Sequence, residues 1–224
     1  MKKLTILVLL AAMTFSLNLQ AQKEASKEFP NQEYWEVVSE RAAKIVDSMN
    51  LNDVAKEKRV QDLIAAQYYR LNGIHDETDA KIKELKESSL PKEKKEKEIA
   101  KLNDKRQKGL AKLHQSYLKV LAKELTPAQI DEVKNGMTYS VLVHTYDGYQ
   151  DMLPNLTEEQ KKFILDALTE AREKAMDAGS SKDKHAWFGK YKGRINNYLS
   201  QQGYDLNKES KDWHERLKKE GKTL

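Results

Sequence analysis

The chain contains no cysteine, which excludes disulfides, thiol nucleophiles, thiolate metal sites and a lipid anchor on an N-terminal Cys. Proline is almost as scarce. It occurs only at Pro30, Pro91, Pro127 and Pro154, so the long stretches between them are free to run as helix. There is no phosphate-cradling glycine loop and no Gly-x-Ser-x-Gly nucleophile elbow. The one long apolar run, Leu4 to Leu19, carries Thr14, Ser16 and Asn18 and is short for a membrane span, which needs about 20 predominantly apolar residues.

That run follows Lys2 and Lys3 and precedes Leu19-Gln20-Ala21, the pattern of a cleavable signal peptide over residues 1–21. The expectation is an exported protein, periplasmic or secreted, with no stable membrane span after cleavage. Loss of Lys2 and Lys3 lowers the formal charge from +5 to +3. An exported chain of such mild charge is not expected to bind nucleic acid.

What the sequence has in abundance is charge. Asp, Glu, Lys and Arg make up 33% of it, above the roughly 25% of ordinary domains, which points to extensive solvated helix faces. Residues 22–30 read as a flexible polar leader and 31–224 as a single all-helical domain. Tyr34, Val37, Val38, Arg41, Ile45 and Met49 repeat at helical spacing after Asn31. A second rhythm runs from an N-cap at Asn52 through Val60, Ile64, Leu71 and Leu85, and a third from Pro91 through Leu102, Leu110, Tyr117 and Leu125. The two are nearly equal in length and joined by a short turn. They predict a protruding antiparallel hairpin over residues 53–124, about 50 Å long, with a charged tip at Lys92 to Glu98.

Leu125-Thr-Pro-Ala-Gln129 and Leu156-Thr-Glu-Glu-Gln160 each form a capping box, the Thr side chain taking a backbone N–H and the Gln reaching back. Met137 to Val143, rich in β-branched and aromatic residues, reads as extended, and a helix follows over residues 158–178. A last helix is expected to be capped by Asn207, with Trp213 and Leu217 inward.

Residues 180–205 concentrate aromatics, bases and amides as no other stretch does. Read as a helix capped by Ser181 and ended by Gly203, they present three faces: an apolar stripe of Phe188, Tyr191, Ile195, Tyr198 and Leu199, a polar row of Lys190, Arg194 and Asn197, and a bare face of Ala186, Gly189 and Gly193. The bare face suggests close helix packing. Carbohydrate sites set an aromatic face against the sugar ring and use amides and charges for its hydroxyls. Trp187, Lys190, Tyr191, Arg194, Asn196, Asn197 and Tyr198, with His144 and Tyr146 nearby, supply that inventory.

Two resemblances bear on function. The paired Leu-Thr-x-x-Gln motifs resemble those of periplasmic helical chaperones of that name, which implies that proteins are the alternative partner. Thr145-Tyr-Asp-Gly-Tyr149, Met152 to Gln160, Ala171 to Ser180, Phe188 to Leu199 and Gly203-Tyr-Asp205 together resemble a domain-of-unknown-function family of secreted bacterial helical proteins described as sugar-binding. That resemblance implies an exported, non-catalytic carbohydrate-binding protein. His75 and Asp79 stand four apart, a metal-ligand spacing, yet no third ligand is identifiable, and no carboxylate pair suggests a glycosidase. Neither catalysis nor a cofactor is expected.

Overall fold

The computed structural model describes residues 28–221. They form eight helices with no strand among the described residues: α1 (Gln32–Met49), α2 (Val54–Glu87), α3 (Lys92–Glu124), α4 (Pro127–Met137), α5 (Val141–Met152), α6 (Glu158–Met176), α7 (Ser181–Gln201) and α8 (Leu206–Lys219). The expected all-α class, with its long hairpin and helical bundle, is what the structure has. The signal peptide assigned to residues 1–21, and residues 22–27 of the leader, lie outside the described residues. Among those described, no helix is long and apolar enough to cross a membrane.

The antiparallel α2–α3 hairpin is anchored at one end only. Val60, Ile64, Ala65 and Leu71 of α2 and Leu110, Tyr117 and Leu121 of α3 are buried against Val38, Ala42 and Val46 of α1 and Val133 and Met137 of α4. Beyond Leu71 and before Leu110 neither arm has a buried residue, so that half is held by its own helical hydrogen bonds and partial side-chain contacts. A second core belongs to the body. Ile164, Ala167, Leu168, Ala171 and Ala175 of α6 pack on Phe188, Tyr191, Ile195 and Leu199 of α7, with Leu142, Tyr149 and Leu153 closing the layer. α8 is pinned to α5 by the Trp213 indole N–H, which donates to Asp151 Oδ2 at 2.7 Å.

Both capping boxes are formed, at Thr126/Gln129 and Thr157/Gln160. Three other caps fall one or two residues away from the sequence assignment. Asp53 caps α2, because Asn52 takes a left-handed conformation with φ 57°. Ser180 rather than Ser181 caps α7, its hydroxyl accepting from the Asp183 N–H, and Asp205 caps α8 in place of Asn207. Phe29, counted with the polar leader by sequence, is buried. Its ring stacks on Trp35 with centroids 4.2 Å apart. The segment read as extended, 137–143, is instead a helix end, a corner and a helix start. Tyr139 and Ser140 turn the chain at φ 58° and 53°, and α5 begins at once. Local β-propensity yields there to tertiary packing.

The bare face of α7 also differs from expectation. A Cβ at Gly189 or Gly193 would meet nothing within 4 Å, so no helix packs there. Alanine at either position is therefore expected to raise stability by about 0.5–1 kcal/mol, the backbone entropy that a mid-helix glycine costs. The check is the midpoint of urea unfolding, and a lowered midpoint in both variants would contradict an open face.

Candidate functional site

A cavity of about 710 Å³ lies where the arm meets the body. One wall is the exposed-side surface of the hairpin: His75, Asp76 and Asp79 from α2, and Arg106, Gln107, Leu110 and Ala111 from α3. The other comes from Lys174 at the end of α6, the 177–180 turn, and Asp183, Ala186, Trp187 and Lys190 on α7. The turn is clamped onto α2. His75 Nε2 lies 2.8 Å from the Asp177 carbonyl, and a Cβ at Gly179 would come within 2.8 Å of the imidazole, so only glycine lets the two elements approach this closely.

The groove is polar in both senses and has one large aromatic face. Four aspartates stand against Arg106, Lys174 and Lys190. Arg106 Nη1 donates to Asp79 Oδ1 at 2.7 Å, Asn72 to Asp76 at 2.6 Å, and Ser180 Oγ to Asp183 Oδ2 at 2.6 Å, so much of this inventory is already oriented. Trp187 is partly buried, and the Lys190 ammonium lies 5.2 Å from its ring centroid.

Behind Asp177 a charged network fixes the floor. His114 of α3 bridges Glu173 of α6 and Asp177 just beyond its end: Nδ1 is 3.0 Å from Asp177 Oδ2, and Nε2 is 3.2 Å from Glu173 Oε2. The hydrogen bonds that the imidazole donates to Asp177 and Glu173 lift its pKa to about 9, against the desolvation that would lower it. Burial alone would raise Glu173. The hydrogen bonds from His114 and Lys134 overcome it and hold the carboxyl near 2. Lys134 of α4 donates to both Glu173 oxygens, at 2.8 and 3.0 Å. Beside it Arg172, buried, donates to Asn135 at 2.7 Å and to Asp131 at 2.5 Å. Three helices, α3, α4 and α6, are thus joined through one set of charges.

The residues singled out by sequence are dispersed. Trp187 and Lys190 line the groove. Lys190 also borders a shallow outer face with Phe163, Arg194, Asn197 and Tyr198, where Arg194 lies 5.6 Å over the Phe163 ring and pairs with Glu170 at 3.3 Å, while Tyr198 stacks on Phe163. Tyr191 is core, its hydroxyl directed to Glu170. Asn196 Oδ1 accepts from the Tyr149 hydroxyl at 2.6 Å. His144 is exposed and Tyr146 half-buried on α5, and neither lines this groove. One expected constellation therefore resolves into two faces and a core.

Sequence reading missed the hairpin wall. His75 and Asp79 were visible as an i, i+4 pair, but that pairing says nothing about the body they face. Among the described residues no group of three or more His, Cys, Asp or Glu side chains is placed to hold a metal ion.

No curated protein matches the chain. The family model for proteins of unknown function designated DUF3826 matches residues 35–219, nearly the whole of the helical domain, and the chain belongs to that family.

Proposed function

We propose that this is an exported, non-catalytic protein that binds carbohydrate in the groove between the hairpin and α7. The observation that carries this reading is Trp187, a partly exposed indole set in a cavity of about 710 Å³ beside mixed donors and acceptors. A sugar ring presents an apolar C–H face and hydroxyls that both donate and accept. An indole answers the first need, and aspartates interleaved with Lys, Arg, Gln and Ser answer the second. The volume lies within the range of small-ligand sites and suits one to a few sugar residues.

Trp187 and Lys190 are retained from the residues expected by sequence. Arg194, Asn197 and Tyr198 are not assigned to this site because they face outward on the adjacent groove. The alternative, a chaperone-like holder of other proteins, has less to support it. Client holding calls for a contiguous apolar surface. Among the described residues the exposed large hydrophobics are Val37, Val54, Leu90, Val120, Tyr139, Val143 and Leu165, each on a different helix or connection. The two Leu-Thr-x-x-Gln motifs are accounted for by helix capping.

A thermal-shift screen against monosaccharides and polysaccharide fragments tests the reading, since a ligand of the native state raises its melting temperature. At least one glycan is expected to stabilise the protein reproducibly. A flat screen, together with suppression of client aggregation by the same preparation, would transfer the proposal to protein holding.

A further inference from the structure

A second cavity, of about 660 Å³, lies on the opposite side of the 177–180 turn, between α1, α2, the corner joining α4 to α5, and the first turn of α7. Its charge is of one sign. Arg41 and Lys44 of α1 and Lys184 of α7 line it, and among the described residues no carboxylate does. Arg41 and Lys44 are exposed and have no ion-pair partner among the described residues.

Lys184 is different in kind: it is 7% exposed. Its ammonium donates to the carbonyls of Ala175 and Met176 at 3.2 and 3.3 Å, closing the end of α6, and lies 5.8 Å from the Tyr68 ring centroid. Two carbonyls use two of three N–H donors. Burial depresses its pKa to about 8, and Asp177, the carboxylate whose field opposes that shift, is committed to His114. A buried ammonium held by neutral carbonyls alone is costly, and a neighbouring anion offsets that cost. Ser180 and Ser181, at the start of α7, border the same space, so the positive end of that helix adds to the three cations. Tyr68 and Tyr139 supply aromatic wall.

We propose that this cavity is a binding site for an oxyanion, a carboxylate or phosphate, free or carried on a sugar-sized molecule, held among Arg41, Lys44 and Lys184 with Tyr68 and Tyr139 against its body. The site shares Ala178, Gly179 and Ser180 with the groove but has its own cations, and it does not depend on the glycan reading.

The test is titration calorimetry of the purified protein at low salt with glucuronate, glucose 6-phosphate, inorganic phosphate and neutral glucose. At least one anion is expected to bind saturably with a Kd of about 1 mM or tighter, and glucose is expected not to bind in this cavity. Arg41→Gln and Lys44→Gln are surface changes that leave the fold intact, and each weakens anion binding about tenfold. Inorganic phosphate binding as tightly as the sugar anions identifies the free anion as the ligand, whereas tighter binding of the sugar anions identifies the carried one. Trp187→Ala leaves the affinity for inorganic phosphate, which has no ring to set against the indole, unchanged. Absence of saturable binding by all three anions overturns the proposal. So does binding that survives unaltered in both the Arg41→Gln/Lys44→Gln double variant and Lys184→Met.

Discussion

Replacing His114 by alanine is expected to cost about 3 kcal/mol at pH 7, because it leaves Asp177 and Glu173 facing one another without the cation that bridges them. The cost has a pH signature. In the unfolded chain the imidazole titrates near its ordinary value of about 6.5, and in the native state near 9. Between those values the native protein holds a proton that the unfolded chain has released. The stability this contributes is fully present below about pH 6.5 and is lost as pH rises through about 9, and partial solvent exposure limits it to roughly 2–3 kcal/mol. Glu173 acts in the other direction. Its stabilisation is present above its ordinary carboxylate range and is lost as pH falls toward 2. Urea unfolding of the wild type and of His114→Ala at pH 7 and pH 10 is the measurement, with the gap expected to narrow sharply at the higher pH. A gap that does not change with pH would mean that the imidazole acts through packing alone. Since Asp177 also lines the groove, the same variant is expected to loosen its floor.

The second large effect concerns binding. Trp187→Ala removes the indole that lines the groove, and the affinity of any glycan found there is expected to fall by about 30-fold or more, equivalent to roughly 2 kcal/mol of lost apolar contact. Trp187→Phe should recover much of it, because a ring face remains. Arg194→Ala should change little, because that guanidinium is paired with Glu170 on the neighbouring face. Titration of the three variants separates a site in the groove from one on the outer surface of α7. Equal losses in Trp187→Ala and Arg194→Ala would place the ligand on the outer face instead.

The helices were legible because their causes are local. Periodic apolar residues, the two capping boxes and the scarcity of proline predict α1, the hairpin and α6 closely, and the stripe of Phe188, Tyr191, Ile195 and Leu199 is the buried face of α7. The misplaced caps are small errors of the same local kind, a choice between adjacent polar residues such as Asn52 and Asp53. The corner at Tyr139 and Ser140 was less readable, since β-branched neighbours mimic a strand when packing is unknown.

The site was legible only by halves. Helical spacing can say that Trp187 and Lys190 lie on one side of α7, but not that Asp79 and Arg106, more than eighty residues away in sequence, form the opposite wall. The aromatic and polar inventory also grouped Arg194 with Trp187, although the two, about two helical turns apart, line different grooves. The His114 bridge was equally hidden, because its partners Glu173 and Asp177 come from a helix about sixty residues further on and reach it only when the hairpin docks.

The central claim, that the groove holds a carbohydrate against Trp187, is tested most directly by following the indole N–H resonances of the protein during titration with a stabilising glycan. There are three tryptophans, Trp35, Trp187 and Trp213, and the Trp187 signal is assigned by its loss in Trp187→Phe. Saturable movement of that signal, with those of Trp35 and Trp213 unchanged, is the predicted result. A Trp187 resonance that stays fixed while the glycan binds would contradict the claim.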